Sequence, residues 1–303
     1  MRHTRTMRNF MRRRFVTLDV FTARRFAGNP LAVVLDAEHL ETTDMQAIAH
    51  EFNHPETVFV FASGDPAHRV RIRIFTPRRE LPFAGHPTIG TAVLLGLRDG
   101  GGVGRDIVLE EPIGAVHCTL ETTANGGGGA RFTIPQLPAE VGPVAEDATL
   151  ATALGLAPAE IGELRPARWS AGMPFTFVPV SSRAAVERCS PDLARFDSAF
   201  GAGGAAYVFC RQTVEPSHGF HARMFAPGMG IPEDPATGSA VAAFAGLLAS
   251  RLPDGAHAVT IEQGYEMGRP SLIRLVAVVE AGRVLSASIG GDAVVVTEGT
   301  IEA

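Results

Sequence analysis

Only three cysteines occur among the 303 residues (Cys118, Cys189 and Cys210), and no C-x-x-C is present. That odd, widely spaced set excludes a disulfide or zinc framework and fits a reducing, cytoplasmic setting. There is no dense basic stripe, and the net charge is -5, so a nucleic-acid partner is not expected. Nor is there an apolar run of the roughly 18 residues that a membrane helix needs. The longest candidate, Ala240 to Ala249, follows a Gly-Ser turn and suits a buried soluble helix, so no membrane partner is expected. The basic segment Met1 to Arg14 has no apolar h-region behind it. It reads as an unstructured extension over residues 1–13, with folded sequence from about Phe15, rather than as a targeting peptide. The glycine run Asn125 to Gly129 lacks the Lys-Ser/Thr of a phosphate loop and reads as a flexible hairpin tip.

What is present is an ordinary globular composition, 46% apolar and 19% charged. The length exceeds what one core usually serves, so two domains are expected. Strands are predicted at Arg14 to Phe21 and Leu31 to Leu35, with a turn at Phe26-Ala27-Gly28-Asn29-Pro30 between them. Thr43 is read as the cap of a helix from Asp44 to about Phe52, stopped by Pro55. Strands at Glu56 to Ala62 and His68 to Phe75 precede a helix from about Pro87 to Leu97. A shift toward Pro, Ala, Glu and Leu over Pro135 to Glu163 marks the crossing between a first domain (14–134) and a second (135–286). The second half repeats the plan, with a helix near Pro191 to Phe200 and another from about Pro235 to Ser250. It closes with strands that include Arg283 to Ile289 and Ala293 to Glu298.

The repetition extends to motifs. Phe75-Thr76-Pro77 precedes His86-Pro87-Thr88-Ile89-Gly90-Thr91-Ala92, and Phe225-Ala226-Pro227 precedes Asp234-Pro235-Ala236-Thr237-Gly238-Ser239-Ala240. Strand, F-x-P, loop, [H/D]-P-x-x-G-[T/S]-A and helix recur in one order, which points to an internal duplication. This alignment puts Pro at a first helical position in both copies and makes His86 equivalent to Asp234. Helix starts carry about half a positive charge and unpaired N–H groups, so two of them facing a cleft would bind an anion. The candidate contacts are Gly85, His86, Asp234, Gly238 and Ser239. The helix starts hold no cysteine, so two-thiol racemase chemistry is excluded.

His50-Glu51-Phe52-Asn53-His54 matches H-E-x-x-H, but His54 precedes Pro55, which disfavours helical geometry at the second histidine. A zinc hydrolase is therefore the weakest reading, and no metal is expected. Glu56 opens the apolar strand Thr57-Val58-Phe59-Val60-Phe61. Local sequence leaves it open between a surface glutamate and a desolvated acid/base group with a raised pKa.

Several runs resemble the PhzF-like family of phenazine biosynthesis, which has the diaminopimelate-epimerase-like fold. They are Asp19-Val20-Phe21, Phe26-Ala27-Gly28-Asn29-Pro30, Glu56-Thr57-Val58-Phe59, Phe83-Ala84-Gly85-His86-Pro87-Thr88, Asp234 to Ala240, and Gln263-Gly264-Tyr265-Glu266-Met267-Gly268-Arg269-Pro270-Ser271. The resemblance implies an α+β protein of two similar domains, each a β-barrel-like sheet wrapped around a central α-helix. The final strand (287–303) would return to the first domain, and the active site would lie between the two. It implies a homodimer needing no cofactor, and an isomerase in which Glu56 moves a proton on a small carboxylate-containing substrate such as trans-2,3-dihydro-3-hydroxyanthranilate. His86, Asp234 and Ser239, with backbone at Gly85 and Gly238, would contact that substrate. Pro55 stands where the phenazine enzymes often carry serine, which takes a hydroxyl from the site. An epimerase or racemase of an amino or hydroxy acid, and a non-catalytic carboxylate binder, remain as alternatives.

Overall fold

The computed structural model describes residues 11–122 and 126–303. Its first half runs β1 (Arg12–Val20), β2 (Asn29–Val34), α1 (Thr42–Phe52), β3 (Glu56–Phe61), β4 (Val70–Phe75) and the short β5 (Glu80–Leu81). Helix α2 (Gly85–Arg98) and strands β6 (Asp106–Glu111), β7 (Gly114–Thr122) and β8 (Gly127–Thr133) complete it. The second half begins with β9 (Ala139–Glu140), α3 (Asp147–Ala153), β10 (Ala167–Ser170), β11 (Pro174–Pro179), α4 (Arg183–Arg188) and α5 (Leu193–Phe200). There follow β12 (Ala206–Cys210), β13 (Phe220–Ala226), β14 (Ile231–Asp234), α6 (Gly238–Ala249), β15 (Gly255–Gln263), β16 (Ser271–Glu280) and β17 (Arg283–Glu302).

Strand pairing repeats between the halves. In the first, β1 and β2 are antiparallel, β2 and β3 parallel, β3 and β4 antiparallel, β4 and β6 parallel, and β6, β7 and β8 antiparallel. In the second, β10 to β13 and then β15, β16 and β17 repeat those senses in the same order. One strand joins the two. β17 pairs with β16 over its first residues, then with β8 (Ser288↔Thr133 to Val294↔Gly127), then with β1 out to Glu302↔Arg12. Those last two ladders close the first eight-stranded barrel, which leaves it no free sheet edge.

The central helices follow from composition. Every residue of α2 from Gly85 to Gly96 is buried, and in α6 all but Ser239 are. A helix apolar all round can only be an interior element, and each of these two lies inside its curled sheet. Around Phe244 of α6 the rings of Phe177, Tyr207, Phe209 and Phe220 sit 4.8–5.9 Å away. Such aromatic pairs add about 0.5–1.5 kcal/mol each beyond their buried area.

Several expectations are corrected. Ordered chain begins before Phe15. Arg12, Arg13 and Arg14 pair with Glu302, Ile301 and Thr300, and Arg13 is buried, its guanidinium bonded to backbone at Asp36, Glu38 and Ala303. Residues 1–10 of the expected extension lie outside the described residues. So does Asn125 of the expected hairpin tip, whereas Gly127, Gly128 and Gly129 belong to β8 and pair with β17. Thr43 does not cap α1. Glu41 occupies the cap position, and Asn53 ends the helix in the left-handed region (φ 51°) two residues before Pro55 could act. Two expected strands at the C-terminus are one, because Gly290 is paired with both Arg274 and Arg131, and Gly291 with Ala130, rather than forming a turn. The largest correction concerns the second repeat. α6 starts at Gly238, so Pro235 is not a first helical residue and Asp234 ends strand β14 instead. No helix among the described residues is long and apolar enough to cross a membrane.

Candidate active site

The repeats meet at the starts of their central helices. A Cβ placed on Gly85 would come 3.3 Å from Gly238 Cα, and one placed on Gly238 would come 3.5 Å from Gly85 Cα. This reciprocity makes Gly85 equivalent to Gly238, and the first in-register bonds agree: Thr88 N–H donates to Ala84 and Val241 N–H to Thr237. His86 therefore corresponds to Ser239, not to Asp234. The sequence alignment slipped because Pro and Gly recur in both segments, five residues out of structural register.

Glu56 lies at the start of β3, paired with Leu31 of the parallel strand β2. Its Oε2 is 3.3 Å from His86 Nε2, with side chains only 12% and 6% exposed. The two atoms are not aligned as a hydrogen bond, and both are buried without another partner. Burial first, and then the Asp234 charge, push the Glu56 carboxyl up to about 8. Burial pulls His86 down to about 3, against the opposing hydrogen bond to the Pro30 backbone. Proline has no N–H, so that bond must be donated by the imidazole. With Nε2 facing Glu56, Nδ1 is the donor, and His86 is a neutral ring offering Nε2 as an acceptor.

Asp234 approaches from the second repeat. Its Oδ1 accepts from Asn29 Nδ2 (2.9 Å) and its Oδ2 from Thr237 Oγ1 (2.5 Å). Burial raises its carboxyl to about 6, offset by these two bonds. Asn29 Nδ2 also donates to Ala236 O (2.9 Å), and Gln263 Nε2 donates to Asp234 O (2.7 Å) and Thr237 Oγ1 (3.0 Å). The F-A-G-N-P run of one repeat thereby holds the acid of the other. Ser239 is half-buried in the first turn of α6.

All the residues expected from sequence are thus brought to one place: Glu56, Gly85, His86, Asp234, Gly238 and Ser239. Sequence reasoning gave no individual role to Asn29, Pro30, Thr237, Gln263 or Arg269. The two quoted runs that contain most of them were the available signal. The H-E-x-x-H histidines part company, since α1 ends at Phe52 and they share no helical face. His54 is instead half-buried near the cleft, its pKa lowered by burial and its charge felt at His86.

The repeats are not chemically equal. Thr57 faces Phe75 in the first, and Ala206 faces Phe225 in the second. These phenylalanines open the two F-x-P motifs, so Glu56 corresponds to Ala205. Only one repeat carries the acid.

Comparison with known proteins identifies the family. The chain matches the family described as phenazine biosynthesis-like protein over residues 18–299. It is 48% identical to an uncharacterized isomerase of Mesorhizobium japonicum, covering 95% of this chain and 98% of that one. It is 34% identical to trans-2,3-dihydro-3-hydroxyanthranilate isomerase of Pseudomonas chlororaphis, with coverage of 95% and 98%. A crystal structure of a PhzF-family phenazine biosynthesis protein from Bacillus anthracis superposes with a TM-score of 0.86, at 26% identity over 96% of this chain and 99% of that one. The chain belongs to the phenazine biosynthesis-like, or PhzF, family, and is an isomerase of that family.

Proposed function

We propose that this isomerase moves a proton within a small carboxylate-containing substrate, with Glu56 as the single acid/base group. The observation that carries the reading is the buried, unpartnered pair Glu56 Oε2 and His86 Nε2 beside two converging helix starts. Buried polar atoms are almost always satisfied, and an unpaired couple in a cleft invites a ligand's donor groups. A carboxyl near 8 is matched to proton transfer close to neutral pH. The N-termini of α2 and α6 favour an anionic group between them.

In the reaction, the Glu56 carboxylate takes a proton from a carbon conjugated to an electron-withdrawing group. The C–H electron pair enters the π system, a double bond shifts, and the same carboxyl returns the proton to another carbon. One C–H bond breaks, one forms, and Glu56 ends as it began. Neutral His86 accepts a hydrogen bond from a substrate hydroxyl, amine or carboxylic proton.

Two observations favour this over two-base epimerisation. Ala205 stands where the second repeat would supply a matching acid, and both Asp234 oxygens are held by Asn29 and Thr237. The names of the relatives support trans-2,3-dihydro-3-hydroxyanthranilate, or a close structural analogue, as substrate. NMR of that compound and of an amino- and hydroxy-acid panel in D2O tests the proposal. Deuterium should enter at the carbon that receives the proton, and Glu56→Gln should abolish it. Wild-type turnover by folded Glu56→Gln would refute the reading, and binding without exchange across the whole panel would favour a non-catalytic carboxylate binder.

A further inference from the structure

A second titratable cluster lies in the same half as α6, outside the proton-transfer site. His221 on β13 is 1% exposed and sits between two carboxylates. Its Nδ1 is 2.9 Å from Glu262 Oε2, and its Nε2 is 2.8 Å from Glu266 Oε1. Glu262 is wholly buried and already accepts from the backbone N–H groups of Val214 and Glu215 (2.8 Å each), with His218 Nδ1 at 2.8 Å. It is filled with donors and can only be a carboxylate there. Both ring nitrogens of His221 face acid oxygens, which fits an imidazolium donating in both directions.

Glu266 belongs to the loop from Gly264 to Pro270, and that loop reaches across to the other repeat. Arg269 Nε donates to Gly28 O (2.7 Å), and its Nη2 donates to Ala27 O (2.7 Å) and Asp19 Oδ1 (2.5 Å). Gly28 N–H in turn donates to Pro270 O (3.1 Å). The next residues on that turn are Asn29, which holds Asp234, and Pro30, which accepts from His86. The loop also begins at the cleft, since Gln263 holds Asp234 and Thr237. Gly264 has φ +78°, and a Cβ there would strike Pro235 O and Arg269 O at 2.5 Å, so its path is tightly fixed. Arg269 and Gln263 tie the two ends of this strap, and Glu266 fastens its middle, with His221 as the fastener.

We propose that His221, clamped between Glu262 and Glu266, is a positioning residue for the cleft. It latches the Gly264–Pro270 strap, which braces Asp234 through Gln263 and Asn29, and His86 through the Pro30 turn. The residue touches no substrate and acts through the strap alone. The first repeat has no such clamp: Arg71, in the register position of His221, is exposed and lies over the Phe61 ring, while Glu110 contacts Ser63 and His68.

The inference rests on the proposed cleft chemistry for its catalytic part, so the test has two readouts. Hydrogen exchange of the strap amides of Met267, Gly268 and Arg269, which close turns onto Gly264 and Tyr265, is measured in full-length wild type, His221→Gln, Glu266→Gln and the double variant. Each single variant should speed exchange of these amides at least tenfold while amides of β3 and α2 stay protected. The double variant should be no faster than the singles, because the two side chains form one latch. His221→Arg should restore slow exchange. With a turned-over substrate, the same variants should lower kcat/KM about tenfold, and His221→Arg should recover most of it. Unchanged strap exchange in both folded single variants overturns the latch, as does additive loss in the double variant. Faster strap exchange with unchanged kcat/KM overturns the positioning role. Absence of turnover by wild type on every substrate bears on the cleft chemistry alone, and the exchange result still decides the latch.

Discussion

Glu56 Oε2 and His86 Nε2 lie 3.3 Å apart, and the pair is neutral on both sides. Burial raises the acid to about 8 and lowers the imidazole to about 3, so near pH 7 the proton stays on the carboxyl. In a water-exposed site the same two groups would form an ion pair at slightly acidic pH. The enclosure made by two helix starts and a strand end leaves two neutral, unpartnered groups where solvent would leave an ion pair.

Glu56→Gln should lower turnover by about 10²–10⁴-fold and should also stabilise the protein at alkaline pH. A carboxyl whose folded pKa lies above its unfolded value of 4.5 costs stability as pH rises from about 4.5 through about 8. The unfolded chain loses the proton first. Buried Glu111, also pushed up to about 8 by burial, acts with the same sign. Urea denaturation at pH 6 and pH 9 should show the wild type losing more stability between them than Glu56→Gln does. Equal losses would remove the claim of a raised acid.

The rate of proton abstraction should rise with pH as Glu56 ionises, with a midpoint near 8 in free enzyme. Asp234 charge is the second cause of that elevation, so Asp234→Asn should move the midpoint toward acid. A kcat/KM profile of both proteins checks the direction. A midpoint moved toward base in the variant would contradict the electrostatic coupling.

Gly85→Ala tests the cleft without touching the acid. In a helix, alanine is normally better than glycine by about 1 kcal/mol, yet here its Cβ would press on Gly238 Cα at 3.3 Å. The expected result is unchanged or slightly higher Tm with kcat/KM reduced roughly 10- to 100-fold, the scale of about 1 Å of misplacement. Wild-type kinetics would show that nothing passes between the two helix starts.

Phe244→Ala should destabilise by about 3–5 kcal/mol, the usual cost of deleting a large buried ring. The ring is fully buried at the centre of four others. Gly291→Ala should also destabilise, by about 1–3 kcal/mol, because its Cβ would overlap Phe21 at 2.3 Å where β17 crosses between the halves. Gly64→Ala, with nothing within 4 Å, is the neutral control. Chemical denaturation of the three variants orders them. Equal stabilities would contradict the packing.

Local chemistry in the sequence determined a good deal. Alternation in His68 to Phe75 gave strand β4, the all-apolar stretch after Gly238 gave a buried helix, and the repeated order of strand, F-x-P and helix gave the duplication. Glu56 was named from an apolar strand and a family resemblance. These features are legible because periodicity, capping and turn preferences act over a few neighbouring residues. Register between the repeats was not legible: Gly85 pairs with Gly238 and His86 with Ser239 only because two helices approach through facing glycines. Tertiary structure alone seated Asn29 on Asp234, across 205 residues of chain, and carried Arg269 to Asp19 across 250. The elevated acidity constant of Glu56 belongs to the same class. Desolvation is set by everything packed around a group, and no stretch of sequence near Glu56 contains Asp234, Gly238 or the rest of the second repeat.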